Sequence, residues 1–298
     1  MKFLKRENII DSKWNDCVLK SPNGLIYGLS WFLDGLVDKW SGLVWEEDGE
    51  YTAVFPIPTR RKFGFRYVYP PFFIQQLGLF SQNKSNLIQE RMPIEFLQKN
   101  FKFVELNLNY DSKIGKEKTN LILSLDANYE SIQKKYSQNH KRNIKKGEKL
   151  NLELRSESVS NVINLFKTDK GASLKTFSEK DYTNLNTLVN KAEENGHVIV
   201  KGVYQTGQLI CGGVFMKFKN RIIFLFSGNS KKGKNTGALF FLLNSIINQY
   251  ANSGFVFDFE GSQNEGLIRF YRGFGAKDEN YTFYKHNNLP GVLKIFKR

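Results

Sequence analysis

The sequence predicts an α/β protein of two domains, each a mixed, mostly antiparallel sheet with flanking helices. Three observations carry this. The chain has 298 residues, more than one ordinary hydrophobic core holds. Its second half reads as β-α-α-β-β-β-loop-α-β-α-β, and its first half follows that order more loosely. Within the second half, an apolar strand, a Gly- and Lys-rich loop, an apolar helix and another strand form a crossover unit, so part of that sheet is parallel. A composition that is 41% hydrophobic and 14% aromatic supplies real cores and excludes wholesale disorder.

In the first half, Phe3–Arg6 reads as a strand, and Ser12–Leu19 and Leu29–Trp40 as helices. Gly42–Glu46 and Tyr51–Pro56 alternate around Asp48-Gly49, a hairpin signal. Tyr67–Ile74 is an aromatic strand, Lys84–Asn100 a helix interrupted at Pro93, and Phe103–Leu108 and Leu121–Leu125 are strands. Tyr129–Lys149 reads as one connecting helix. It carries Ile132, Tyr136 and Ile144 on one stripe and a run of basic residues from Lys134 to Lys149. In the second half, Ser158–Lys170 and Ser178–Asn195 are helical, the latter opened by Ser178-Glu179-Lys180-Asp181 and ended by Gly196. His197–Tyr204 and Gln208–Phe218 form a hairpin, and Arg221–Ser227 is a buried strand. The loop Gly228–Gly237 leads into the helix Ala238–Asn252. Phe255–Glu260, Asn264–Phe274 and Asn280–His286 complete the half as strand, helix and strand. The expected domains are 1–128 and 150–298, joined by the basic helix 129–149.

A net charge of +15, spread over both halves, favours anionic partners. Cys17 and Cys211 lie far apart, no CxxC pair occurs and there are three histidines, which excludes a disulfide framework and a structural zinc site; no metal is expected. Met1–Asn8 lacks an apolar signal region, and the most apolar stretch, around Ala238–Ala251, is interrupted by Asn244, Ser245, Asn248 and Gln249. A cytoplasmic protein without a transmembrane segment is expected. No G-x-S-x-G elbow, Walker A loop or H-E-x-x-H pair is present.

Four constellations remain. Lys232, Gly233, Lys234, Asn235, Thr236 and Gly237 lead into a helix, whose first N–H groups suit a phosphate; an ordinary turn with a Thr N-cap is the plain alternative. On the basic helix, Arg142 and Lys146 are spaced i,i+4 and could clamp one phosphate, while a solvated face is the default for such a run. His140, near the apolar stripe, reads as a core histidine. Period-two alternation puts Asp258 and Glu260 on one strand face. Glu260, nearer the strand end, is the candidate general base, whereas Asp258 reads as structural, paired with Arg269, Arg272 or Lys277. Gln75 and Gln76, after the aromatic strand, could bind an amide or sugar substrate.

The second half resembles the N-acetyltransferase (GNAT) fold in element order and in its glycine-containing strand-to-helix connection. Two such halves joined by a basic helix resemble the Fem-type aminoacyltransferases. Ser137-Gln138-Asn139-His140-Lys141-Arg142-Asn143-Ile144-Lys145-Lys146 is similar to that family's Ser-x-x-x-(Lys/Arg)-Arg-Asn-Ile-(Lys/Arg)-(Lys/Arg) segment, and Phe257–Ser262 followed by Ile268–Ala276 to its strand-then-helix close. The resemblance implies two GNAT-like domains and an acyltransferase. The donor would be acetyl-CoA or another acyl-CoA, held at Lys234-x-x-Gly237, with backbone N–H groups of Ser227, Gly228 and Asn229 polarising its carbonyl. Tyr271 would be the acid that protonates the leaving thiolate, while its neighbours Phe270 and Phe274 point to core packing as the plain reading. The acceptor would be a small-molecule or nucleotide-linked amine. The long helical arm that some Fem proteins use on tRNA has no counterpart, which favours acyl-CoA over aminoacyl-tRNA. The alternatives are a Fem-like, aminoacyl-tRNA-dependent transferase on a peptidoglycan precursor, a non-catalytic module that binds tRNA or another polyanion, and a protein docked on anionic lipid.

Overall fold

A computed structural model describes the chain except for residues 63, 84–86, 172–176, 262 and 292–298. The first residues of the helix expected at Lys84, and Ser262, thus lie outside the described residues. The chain divides into two compact units, Met1–Lys118 with Asn280–Arg298, and Thr119–Glu279.

The first unit opens with β1 (Lys2–Lys5), α1 (Asp11–Lys20) and α2 (Ser30–Leu36). Next come β2 (Trp40–Glu47), β3 (Glu50–Lys62), β4 (Phe65–Val68), β5 (Phe80–Ser81), α3 (Leu87–Asn100), β6 (Phe103–Leu108) and β7 (Lys116–Lys118). The β2–β3 turn is the expected one, with positive φ at both Asp48 and Gly49. The expected strand Tyr67–Ile74 is shorter: β4 stops at Val68, before Pro70-Pro71, whose rings have no N–H for a ladder. Trp14, Tyr27, Phe32, Phe55, Phe80 and Phe103 fill this core.

The second unit contains β8 (Leu121–Ser124), α4 (Tyr129–Lys134), α5 (Gln138–Lys149), β9 (Glu153–Ser156), α6 (Val159–Phe166), α7 (Glu179–Glu194) and β10 (Val198–Gln205). It continues with β11 (Gln208–Phe218), β12 (Arg221–Asn229), α8 (Lys231–Thr236), α9 (Ala238–Gln249), β13 (Val256–Asp258), α10 (Glu265–Arg272) and β14 (Lys277–Asp278). Its sheet has the order β14-β8-β13-β12-β11-β10-β9, with β12–β13 as its parallel pair. Two adjacent glycines of β11 let helices approach both faces. A Cβ at Gly212 would lie 2.7 Å from Val162 on α6, and one at Gly213 3.0 Å from Leu242 on α9.

The last strand, β15 (Tyr281–Asn287), corrects the expected boundaries. It pairs with β6 and β7, giving the first sheet the order β1-β2-β3-β4-β6-β15-β7, with β5 beside β3. The tail from Asn280 therefore belongs to the first unit, and residues 119–128 to the second. The reason is pairing: alternation identifies a strand but not its partner. The basic segment is likewise no free-standing connector. It is two helices inside the second unit, broken where Ser137 accepts a hydrogen bond from His140 N–H as the N-cap of α5. Ile132, Tyr136 and Ile144 are buried, as the stripe requires.

Candidate active site

The parallel pair β12–β13 splays. Its register covers Arg221–Ile223 against Val256–Asp258 and stops there. Beyond Ile223, β12 runs on to Asn229 beside β11, with no further strand pairing with its other edge among the described residues. A register shift against β11 makes Leu225 the extra residue of a bulge in this segment, which turns the strand. The sequence shows an apolar strand here and carries no mark of the bulge.

After β12 the chain enters α8 and α9. The expected loop is largely the helix α8, capped by Ser230, whose hydroxyl accepts from Gly233 N–H at 3.0 Å. Gly237, at φ 76°, ends α8 and starts α9, and no side chain caps α9. Its first N–H groups, on Ala238, Leu239 and Phe240, have no acceptor within the helix. Thr236 is not the N-cap; its hydroxyl donates to the carbonyls of Lys232 and Gly233. A cavity of about 260 Å³ lies at this corner, lined by Asn229, Gly233, Lys234, Gly237, Leu239, Phe240, Leu267 and Phe270. Four of the nine residues expected at a donor site thus meet around one space.

The others are placed differently. Lys232 donates to Gln208 at 3.2 Å, and Gly228 packs on α6, where a Cβ would lie 2.6 Å from Val162 O. Ser227 pairs within the sheet opposite Gly213. Asn235 is exposed, and its carbonyl accepts from Lys146. Even Lys234 is engaged, forming an ion pair with Asp169. The sequence missed Leu239, Phe240, Leu267 and Phe270, whose apolar character reads as core. The partial exposure of Leu267, 39%, is visible once the helices are placed.

Helix α5 packs along α9. A Cβ at Gly237 would lie 3.0 Å from Asn143 O, and one at Gly147 3.3 Å from Phe241 Cβ. Arg142 and Lys146 do not clamp together: Lys146 Nζ donates to Asn235 O at 2.7 Å, at the C-terminal end of α8, while Arg142 is exposed. His140 is a core residue, as its sequence context indicates. Its Nε2 faces Phe270 O at 2.8 Å, and its Nδ1 faces Ser137 Oγ at 2.8 Å. A carbonyl only accepts, so Nε2 carries the proton and Nδ1 accepts from the serine hydroxyl. Burial lowers the pKa of this histidine, against the raising effect of the Phe270 carbonyl.

β13 ends at Asp258, so Glu260 is not on the strand face with it. Glu260 has φ 51°, is half-buried, and its N–H donates to Asp258 Oδ1 at 2.8 Å. Asp258, 1% exposed, is structural, but its partner is Arg221 at 2.6 Å rather than Arg269, Arg272 or Lys277; Arg221 also bridges to Glu279 at 2.8 Å. Tyr271 lies in the core rather than on the cavity wall. It is 8% exposed and stacked on Phe259 at 4.9 Å. Burial raises its pKa, and the nearby Glu260 charge adds to the rise. In the first unit, Gln76 is buried and donates to Gln75 Oε1 at 2.7 Å, while Gln75 O accepts from Asn107. Both cysteines are buried and free, and burial pushes their thiols up, Cys17 to about 12. Among the described residues, no group of His, Cys, Asp and Glu could hold a metal ion, and no helix is long and apolar enough to cross a membrane.

No protein-family model and no curated protein matches this sequence. Solved structures do match in fold. FemX aligns over 100% of both chains with a TM-score of 0.69 and 11% identity. A tandem GNAT protein from the clavulanic acid biosynthesis pathway covers 97% of this chain and 99% of its own, with a TM-score of 0.58 and 9% identity. L-PGS from Bacillus licheniformis covers 96% and 94%, with a TM-score of 0.54 and 13% identity. The strand splay, the bulge and the glycine-started helix thus sit in a tandem GNAT-like fold, the fold of FemX.

Proposed function

We propose that the protein is an N-acyltransferase moving an acyl or aminoacyl group from a thioester or ester donor, acyl-CoA in this reading, to an amine of a small-molecule or nucleotide-linked acceptor. The observation that carries it is the meeting of the end of β12, at Asn229, with the uncapped N-terminus of α9 at one cavity. The residues there fit a coenzyme A donor. The N–H groups of Ala238, Leu239 and Phe240 suit its phosphates, and Leu239, Phe240, Leu267 and Phe270 suit its apolar arm. Bound coenzyme would supply an activated thioester carbonyl. The β12 segment after the bulge would offer backbone N–H groups to that carbonyl oxygen. Glu260, held at the end of β13 by Asp258, would take the proton from the attacking ammonium. Tyr271, buried beside Glu260, keeps its proton and holds the strand end through Phe259; we assign it no proton transfer.

The test is thermal shift with coenzyme A, acetyl-CoA and tRNA at low and high salt. Coenzyme A should raise the melting temperature, and Leu239→Glu and Gly237→Trp should abolish that rise. Two variants are needed because Gly237 has φ 76°, where a side chain is strained. Transfer to an amine that survives intact in Glu260→Gln removes the base assignment. A second reading is a polyanion-binding module or a Fem-like, tRNA-dependent transferase on a peptidoglycan precursor. It is motivated by the exposed Arg142, Lys145 and Lys149 of α5. Salt-sensitive tRNA binding without any response to coenzyme A would favour it.

A further inference from the structure

We propose that a cleft in the first unit is an anion site that takes the phosphate or pyrophosphate group of a ligand between Arg61 and Arg66. The cleft has a volume of about 880 Å³, within the range of small-molecule sites. It forms where β3 changes partner. β2 ends against β3 at the pair Trp40–Pro58, and β4 begins against it at Thr59–Val68, so the strands fan apart and leave a gap floored by Trp40, Ser41 and Thr59.

Six basic side chains line this gap against three acidic ones. Two of the six are already paired: Arg6 forks onto Asp34 at 2.7 and 2.8 Å, where Trp40 Nε1 donates to the same carboxylate, and Lys5 lies 3.9 Å from Glu7. Among the described residues the remaining four form no ion pair with a carboxylate. Arg61 and Arg66 are directly opposite each other in the β3–β4 register, and both line the cleft. Directly paired residues on adjacent antiparallel strands hold their Cβ atoms about 5 Å apart, where like charges destabilise. No ion pair with a carboxylate relieves either arginine among the described residues. A second feature points the same way. Arg66 lies over the Phe101 ring at 5.1 Å, and Arg60 over Tyr69 at 4.1 Å. Stacking engages the face of a guanidinium and leaves its N–H edge for a planar fork onto phosphate oxygens. The sheet thus keeps a repulsive pair that a doubly charged anion would turn into an attraction.

Isothermal titration with inorganic pyrophosphate and phosphate, at low and high salt, tests this directly. Flotation on phosphatidylglycerol against phosphatidylcholine vesicles separates a soluble phosphate source from a lipid headgroup. Pyrophosphate should bind the wild type, and each of Arg61→Ala and Arg66→Ala should weaken binding by about tenfold or more. Without ligand, Arg61→Ala should be no less stable than the wild type, because it removes a like-charge contact, whereas Arg66→Ala also gives up the stack on Phe101. Vesicle binding that is lost in the same variants supports the same site with a lipid ligand. The proposal is overturned if wild type responds to none of these probes, if it responds to tRNA alone, or if both variants bind as the wild type does. The readout is binding, so it stands or falls separately from acyl transfer.

Discussion

His140 occupies the space that a side chain would need at Gly273. A Cβ there would lie 1.9 Å from His140 Cε1 and 2.4 Å from Nδ1. The same junction is tied by Ser137 N–H to Gly273 O at 2.9 Å and by His140 to Phe270 O. The start of α5 and the end of α10 are therefore one joint, and Phe240 and Phe270 continue from it into the cavity wall.

The joint predicts an inverted substitution effect. Gly273 has φ −63°, so alanine would ordinarily stabilise by up to about 1 kcal/mol. The clash with the imidazole outweighs that, and Gly273→Ala should cost about 3 kcal/mol in denaturant unfolding. Adding His140→Ala should recover part of the loss. If the two costs simply add, the residues are uncoupled and the joint is not as described.

The same histidine makes stability depend on pH. Its folded pKa lies below its ordinary value of about 6.5, so below that pH the unfolded chain binds the extra proton and the folded chain does not. The contribution is complete above about pH 6.5 and is lost as pH falls from there through the folded pKa. The denaturation midpoint should drop over that window, and His140→Gln should flatten the drop. An unchanged pH profile in the variant would assign the drop elsewhere.

Asp258, Arg221 and Glu279 form a mostly buried triad, with side chains 1%, 12% and 19% exposed. Asp258→Ala leaves the guanidinium with one of its two carboxylates and should cost about 3–5 kcal/mol. Exposed pairs such as Arg272–Asp278 should cost less than about 1 kcal/mol. Added salt should leave the first loss in place and shrink the second, which unfolding at two ionic strengths measures.

Arg142 and Lys146 should separate. Lys146→Ala removes a cation from the end of α8 and should cost about 0.5 kcal/mol. Arg142→Ala should leave stability unchanged. If α5 binds tRNA, Arg142→Ala should instead lower the salt dependence of that binding by about one counterion. Equal stability effects in the two variants would contradict the geometry.

Much of the second unit was legible along the chain. The capping box is formed as read, with Ser178 and Asp181 satisfying each other's N–H groups. The buried stripe Ile132–Tyr136–Ile144 and the core character of His140 were legible because helical period and side-chain chemistry are local. The site was only half legible. Asn229, Gly233, Lys234 and Gly237 reach the cavity, while Lys232 is drawn onto Gln208 and Lys234 is paired with Asp169, partners that no spacing announces. The basic run from Lys134 to Lys149 and the Lys-rich loop 228–237 gave no sign of the cleft at Arg61 and Arg66.

By itself the sequence determined most of the elements, α8, the break between α4 and α5 and the early end of β4 apart: alternation made strands, the 3.6-residue period made helices, and caps and glycines set many of their ends. The parallel crossover from β12 to β13 was determined as well. Tertiary structure alone decided that β15 joins the first sheet, that β12 and β13 part after Ile223, and that Arg61 faces Arg66. The physical reason is the same in each case. Strand partners and register are chosen by hydrogen bonds and packing between segments far apart in the chain, and a run of residues carries its own periodicity but not the identity of its neighbour.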